Sequence, residues 1–260
     1  MAKYISSLIP RNATTYVEPF AGSLAVLLAK EPHKIEVVND LDSLITTFWR
    51  VLRDEPESLT TALSATPYSR EEFTDCIGGL SEDCSDVEKA RRVFVALRQS
   101  RKRTTKSVSS DFQSTGGNNN GGSGAGWEFL RAVNTLPSVA TRLRHLIVEN
   151  QEAEKIMARW DKHDTVMYLD PPYVGEARNS KNYGVESAGL DFHEALVETV
   201  LGMKSRVILS GYDHPVYHRL NDWHRTDTSR RTGSTARETR YKTETLWMNY
   251  EPESYTIFAS

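Results

Sequence analysis

Short apolar runs set between longer stretches of helical period outline the chain. Tyr16-Val17-Glu18, Ile35-Glu36-Val37-Val38-Asn39, Leu146-Ile147-Val148, Val166-Met167-Tyr168-Leu169 and Val207-Ile208-Leu209 are brief and rich in β-branched or aromatic residues. Runs of that kind read as buried strands. Helical segments alternate with them: Ser23 to Lys30, rich in Ala and Leu, then Leu41 to Arg53, Leu190 to Met203 and Pro215 to Leu220. Strands separated by helices predict an α/β fold with a mostly parallel sheet. Glu244 to Tyr250 alternates enough to close the sheet as a strand, antiparallel at its edge.

The rhythm breaks from about Asp54 to Leu136. That interval predicts two or three amphipathic helices, the clearest being Val87 to Gln99, with Val87, Ala90, Val93, Phe94 and Leu97 on one face. The run from Arg98 to Lys106 carries five positive charges (Arg98, Arg101, Lys102, Arg103, Lys106) and no acid. A Gly/Asn-rich stretch, Gly116 to Gly126, comes next and cannot bury a core. The expected organisation is a main domain of residues 1–53 and 137–260. At 54–136 it is interrupted by a helical subdomain bearing a flexible basic loop.

Bulk properties narrow the class. A length of 260 residues suits one large domain, or one domain with a sizeable insertion. The net charge of −3 does not mark the whole chain as a nucleic-acid binder, so local clustering matters more. Besides Arg98 to Lys106, the segment Arg225 to Lys242 sets six Arg/Lys, Arg230 and Arg231 among them, against Asp227 and Glu238. Such acid-poor runs suit duplex phosphates, with ordinary solvated charge as the competing reading. Cys76 and Cys84 give neither a disulfide framework nor a zinc pattern, which makes a reducing, cytoplasmic setting the expectation. Met1 to Ile9 lacks the basic and apolar blocks of a signal peptide, and Leu24 to Ala29 is too short an apolar run to span a bilayer. His214 and His218 stand at a helical metal-ligand spacing without a third ligand, so no metal is expected. The Trp49 to Leu52 face reads as core.

Two constellations carry candidate chemistry. Pro19-Phe20-Ala21-Gly22-Ser23 lies between a strand and a helix, where small residues let backbone approach a ligand. Asp40 follows Gly22 by eighteen residues at the end of the next strand, a spacing at which an acid accepts ribose hydroxyls. An ordinary turn followed by an aspartate cap, Asp40 or Asp42, fits equally well. The second constellation is Asp170-Pro171-Pro172-Tyr173, directly after a buried strand. Prolines fix φ and remove donors, so Asp170 and the Pro171 carbonyl form a rigid pair of acceptors suited to an exocyclic amino group. Tyr173 offers a face on which a planar base can stack.

With these residues the chain resembles the Dam-like adenine-N6 DNA methyltransferases, the class whose target-recognition insert precedes an Asp-Pro-Pro-Tyr motif. The resemblance is carried by Glu18-Pro19-Phe20-Ala21-Gly22-Ser23, Asn39-Asp40, Asp170-Pro171-Pro172-Tyr173, Ser210-Gly211-Tyr212 and Thr243-Glu244-Thr245-Leu246-Trp247, and it covers most of the chain outside residues 100–126. It implies a Rossmann-like methyltransferase sheet that binds S-adenosylmethionine and methylates an adenine flipped from double-stranded DNA. By the family pattern Glu18, Phe20, Ala21, Gly22, Ser23, Asn39, Asp40, Glu152 and Asp170 surround the cofactor. Asp170, Pro171, Pro172 and Tyr173 would form the catalytic group, and Tyr183 and Glu186 resemble positions near the flipped base. Arg98, Arg101, Lys102, Arg103, Lys106, Arg230 and Arg231 are the expected DNA contacts. The implied protein is a monomer in a prokaryotic or phage-infected cytoplasm, working without metal or membrane. Relatives begin with a Gly-Gly-Lys-bearing segment just before the helix that here starts as Ala2-Lys3-Tyr4-Ile5, and many have a second glycine where Leu24 stands. Those departures imply a weaker hold on the cofactor. They leave two alternatives open: a truncated, catalytically weak DNA-binding remnant, or an amino-methyltransferase acting on RNA or protein.

Overall fold

The structure, a computed structural model, describes residues 1–101, 111–114, 124–174, 189–235 and 238–252, with backbone alone between 229 and 242. The chain divides into two compact units, Met1–Leu41 with Gln151–Ser260, and Asp42–Asn150.

In the first unit the apolar runs become strands β1 (Thr15–Glu18), β2 (Ile35–Asn39), β4 (Thr165–Leu169) and β5 (Arg206–Gly211), followed by β6 (His224–Thr235) and β7 (Glu238–Met248). Strand β3 (Leu146–Glu149) belongs to the second unit. The six strands of the first unit follow the order β2-β1-β4-β5-β7-β6. Strand β1 pairs parallel with both β2 and β4, and β4 pairs parallel with β5. Strand β7 runs antiparallel to β5 and to β6. From β1 the chain winds outward in opposite directions to β2 and to β4, the Rossmann-like, doubly wound arrangement. One expectation is corrected here. Strand β7 is antiparallel but does not lie at the edge; β6 does. The first part of the basic segment, through Thr235, lies in the Thr-rich strand β6, whose pairing with β7 satisfies backbone groups that a charged loop would leave to water.

Alternation sorts the strand side chains onto two faces. Val17, Val37, Met167, Leu169, Val207, Leu209 and Trp247 pack into one core with helices α8 (Ala153–Trp160) and α9 (Leu190–Leu201), through Ile156, Met157, Leu196, Val197 and Val200. Burial of side chains this size contributes roughly 1.5–3 kcal/mol each. Their neighbours in sequence, Tyr16, Glu18, Tyr168 and Ser210, are also buried and therefore bring polar atoms to the other face.

Helix α1 (Ala2–Leu8) precedes β1, and α2 follows it. The helix expected over Ser23 to Lys30 is only Ala25–Ala29, because Gly22 (φ 45°) and Leu24 (φ 54°) are both left-handed. Glycine adopts that conformation without penalty, whereas leucine rarely does. Leu24 nevertheless buries its whole side chain. The segment Pro215–Leu220 is a 3-10 helix, not an α-helix. At three residues per turn, positions four apart no longer share a face. His214 instead caps this turn, its Nδ1 accepting from the Val216 N–H at 3.2 Å.

The second unit is helical: α3 (Ser43–Asp54), α4 (Pro56–Ser64), α5 (Arg70–Gly78), α6 (Asp86–Gln99) and α7 (Ala125–Leu143), with β3 near its end. Among the described residues the interval 54–136 thus holds more helix than its pattern predicts. Helix α7 buries Phe129, Val133, Leu136, Ala140 and Leu143 in a stripe of helical period, despite Pro137 in its interior. Phe48, Phe94 and Phe129 form an aromatic core, and Trp49 is buried beside it. Arg91 pairs with Glu72 and Glu88 on the rim. Cys76 is buried, its Sγ donating to Glu72 Oε1 at 3.1 Å. No described helix is long and apolar enough to cross a membrane.

Leu24 sets two effects against each other. Replacing it with glycine relieves about 1–2 kcal/mol of left-handed strain. The same change removes a fully buried side chain, a loss of about 2–5 kcal/mol. Leu24→Gly is therefore expected to lower the unfolding free energy in a denaturant titration; an unchanged value would show that strain matches packing, and a raised one that strain outweighs it.

Candidate active site

The carboxyl ends of β2, β1, β4 and β5 lie along one edge of the sheet, at the point where the winding reverses between β1 and β4. Open α/β sheets bind ligands at such an edge, because the diverging loops leave a crevice there. Four of the predicted motifs sit on these strand ends: Pro19–Ser23 after β1, Asn39-Asp40 at β2, Asp170–Tyr173 after β4, and Ser210-Gly211-Tyr212 at β5, while Thr243–Trp247 lies in β7.

The turn after β1 is held by backbone and by Asn39 and Asp40. The Ala21 N–H donates to the Asn39 carbonyl at 2.8 Å, and the Leu24 N–H to the Ala21 carbonyl at 2.9 Å. The Gly22 N–H donates to Asp40 Oδ2 at 2.9 Å. Asn39 is buried, and its amide is committed to backbone. Nδ2 donates to the carbonyls of Pro19 (3.0 Å) and Gln151 (2.9 Å), while Oδ1 accepts from the Gln151 N–H (2.8 Å). Asn39 therefore ties three chain segments together behind the turn. Gly22 and Ser23 are exposed, Phe20 and Asp40 half-buried. Glu152 begins α8 at the surface, adjoining the Asn39–Gln151 link, and pairs with Lys155 at 2.8 Å.

Glu18 is buried beneath the turn and accepts from Tyr16 Oη at 2.5 Å. Loss of hydration pushes its pKa up to about 7, and the nearby Asp170 charge adds to the rise. The bonds from Tyr16 and the Leu27 N–H, with the charge of Lys30, oppose it without cancelling it. Lys30 itself is paired with Glu36 and lies 4.1 Å from the centre of the Tyr16 ring.

Asp170 is anchored from β5. Ser210 Oγ lies within hydrogen-bond reach of Asp170 Oδ1 (2.7 Å) and of the Leu169 carbonyl (3.1 Å), with Tyr168 Oη 3.4 Å away. The residue is exposed, yet protein atoms crowd its carboxyl, and this loss of hydration raises its pKa against the bond from Ser210. Pro171 is buried; Pro172 and Tyr173 are half-buried. Behind the prolines His193 is fully buried, 2.7 Å by Nδ1 from Tyr217 Oη. Burial lowers its pKa to about 4 despite the opposing pull of the Pro172 carbonyl. Tyr173 packs edge-to-face with Tyr212 (centroids 4.6 Å apart) and donates from Oη to Glu244 Oε1 at 2.6 Å.

The structure thus brings Glu18, Phe20, Ala21, Gly22, Asn39, Asp40 and Asp170–Tyr173 to one edge. Of the expected DNA contacts, Arg98 lies 5.6 Å from the centre of the Phe94 ring and Arg101 is exposed. The Arg101 N–H donates to the Asp111 carbonyl at 2.9 Å. Lys102, Arg103, Lys106, Tyr183 and Glu186 lie outside the described residues, as do the side chains of Arg230 and Arg231, whose backbone is in β6. Tyr16, Tyr168, Gln151 and the partnership of Glu244 with Tyr173 were not singled out by sequence. For the strand residues a signal existed: polar atoms inside runs too apolar to face water. Among the described residues no group of three or more His, Cys, Asp or Glu converges as a metal site would require.

The family model described as D12 class N6 adenine-specific DNA methyltransferase matches residues 1–233. A curated relative, the Type II methyltransferase M1.LlaDCHI of Lactococcus lactis subsp. cremoris, is 31% identical over 101 residues, which are 36% of this chain and 35% of that protein. The chain thus covers about a third of that relative's length. The solved structure of SMU.472 complexed with SAH aligns over 98% of this chain and 53% of that one, at 13% identity and a TM-score of 0.38, a likeness too low to bear on the fold.

The buried Glu18 carboxyl makes stability depend on pH. Its folded pKa is raised above the unfolded value, so its contribution is complete below the unfolded pKa and is lost as pH rises toward and through about 7. Glutamine imitates the protonated form at every pH. Between pH 5 and pH 8 the unfolding free energy of Glu18→Gln relative to wild type should shift in favour of the variant by about 2–3 kcal/mol. A difference that stays flat in chemical denaturation across that window would show that Glu18 is not held protonated.

Proposed function

The chain belongs to the D12 class N6 adenine-specific DNA methyltransferase family, and we propose that it transfers a methyl group from S-adenosylmethionine to the N6 amino group of an adenine flipped out of duplex DNA. The observation that carries this reading is one shared sheet edge. It presents a cofactor-type turn with its acid, Gly22 and Asp40, beside an anchored acceptor and an aromatic ring, Asp170 and Tyr173.

The residues fit the cofactor. The turn leaves Gly22 and Ser23 exposed for close backbone approach, Asp40 stands half-open beside them, and the Asp170 carboxylate supplies negative charge where a sulfonium would be favoured. The cofactor supplies an activated methyl group, so no metal is required of the protein. In this reading Phe20 to Ser23 line its methionine and ribose, Asp40 accepts from the ribose hydroxyls, and Glu152 lies toward its adenine. Asn39 acts indirectly, by holding the turn, and Glu18 acts from beneath it.

On the acceptor side, Asp170 and the Pro171 carbonyl accept hydrogen bonds from the adenine amino group. That draws the nitrogen lone pair out of the ring and aims it. Ser210 fixes the Asp170 rotamer, and a carboxylate whose pKa is raised is better suited to receive the proton the amino group sheds. Tyr173 stacks on the flipped base. Arg98, Arg101 and the basic residues of the 102–110 and β6 segments contact phosphates, positioning the duplex without reading its sequence. The protein works as a monomer on double-stranded DNA in the cytoplasm of a prokaryotic or phage-infected cell.

With labelled S-adenosylmethionine and adenine-bearing duplex DNA, wild-type protein should yield N6-methyladenine. Asp170→Ala should lower kcat by about 10²–10³-fold or more while calorimetry still detects the cofactor. Because Asp170 must be ionised to accept, kcat should fall as pH drops, with a midpoint above the ordinary aspartate range. Absence of label from wild type, or faster transfer to RNA or protein in competition, would overturn the reading.

A further inference from the structure

Tyr173 is fixed at both ends. Its backbone follows two prolines, and its hydroxyl donates to Glu244 Oε1 at 2.6 Å, from a residue 71 positions later in the chain. Glu244 stands on β7, and its carbonyl accepts from Thr228 Oγ1 on β6 at 3.1 Å. Its other carboxylate oxygen, Oε2, is buried with no hydrogen-bond partner among the described residues. An unsatisfied buried acceptor is unfavourable and calls for an explanation in terms of what the site does.

Resting on the methyl-transfer reading above, we propose that Glu244 is a positioning residue for that reaction: it sets the angle of the Tyr173 ring on which the base stacks and places a negative charge beside Asp170. A ring anchored only through Cβ can tilt about its side-chain torsions. A charge-assisted bond to its far end removes that freedom before substrate arrives, which is the kind of preorganisation that lowers a barrier. Tyr212, edge-to-face at 4.6 Å, closes the aromatic corner on one side. Charge supports the second role. Asp170 is faced by Tyr168 on β4, Tyr173, Ser210 on β5 and Glu244 on β7, with Glu18 on β1 nearby. After burial, the Glu244 charge raises the Asp170 pKa, making it a better proton acceptor. Glu244 itself faces Tyr173, Tyr168 and Thr228.

The test combines Tyr173→Phe, Glu244→Ala, Glu244→Gln and the Tyr173→Phe/Glu244→Ala pair in full-length protein. In denaturant unfolding the two removals should be strongly non-additive, since either one breaks the same bond; additive losses would overturn the bond without reference to activity. In methyl transfer, Glu244→Ala should lower kcat about 10- to 100-fold, the worth of one charged hydrogen bond, with the KM for S-adenosylmethionine unchanged. Adding Tyr173→Phe should cost no further rate. Glu244→Gln keeps an acceptor for the hydroxyl but loses the charge, so the acid limb of its kcat profile should move to lower pH. A purely structural role would leave that limb in place. Active wild type with Glu244 variants of normal kcat and an unmoved acid limb overturns this proposal alone. Inactive wild type with the unfolding coupling intact overturns the functional reading beneath it.

Discussion

Glu18 and Asp170 are brought together because β1 and β4 are neighbours and parallel, ending at the same edge. Glu18 is buried, and the charge of the nearby Asp170 makes it harder still to ionise. The surrounding groups respond to that constraint. Tyr16 and the Leu27 N–H bond to Glu18, Lys30 offsets part of its charge, and Ser210 holds Asp170. Most of these residues come from strands whose opposite face is an ordinary apolar core. The sheet therefore serves two purposes through alternation alone: one set of side chains stabilises the fold, and the other assembles the polar seam.

The turn between β1 and α2 shows a second compromise. Asn39 uses every hydrogen-bonding direction described for it on backbone, which makes the turn rigid enough to leave Gly22 and Ser23 open. Leu24 then bends into a left-handed conformation that glycine would take more easily, and buries its side chain in return. The strain sits one residue from the exposed backbone that the ligand is proposed to meet. Rigidity and strain thus share one short segment, as is common where geometry matters more than local stability.

Where the sequence was legible, the reason is burial on both faces. Val166 to Leu169 and Val207 to Leu209 are continuous apolar runs, and only a central parallel strand needs such runs at that length. The helix Asp86–Gln99 was legible because its stripe is long and starts at a serine cap, Ser85 accepting from the Glu88 N–H. Strand β6 was not, because Thr and Arg alternation in a strand looks like a solvated loop until its partner is known. Helix α7 was hidden by the glycine run before it and by Pro137 within it, although its buried positions keep helical spacing. The motif residues of the site were legible as motifs. Their support was not: Ser210 to Asp170 and Tyr173 to Glu244 are contacts across 40 and 71 residues, which no local pattern encodes.

The β6–β7 hairpin connects the two halves of the proposed chemistry. Its strands pair from His224–Met248 at the base to Thr235–Glu238 at the tip, with one irregularity between Arg231 and Gly233. Glu244, which holds Tyr173, lies on the same strand as Lys242 and Arg240, and Arg230 pairs directly with Lys242. Basic residues on this ribbon that grip phosphates would therefore be in fixed register with the ring that receives the base. Phosphate contacts made there would set the angle at which a flipped base meets Tyr173, through paired backbone that has little freedom to absorb an error. A hairpin is a better carrier for both tasks than a loop, since it transmits position along paired strands where a loop would dissipate it.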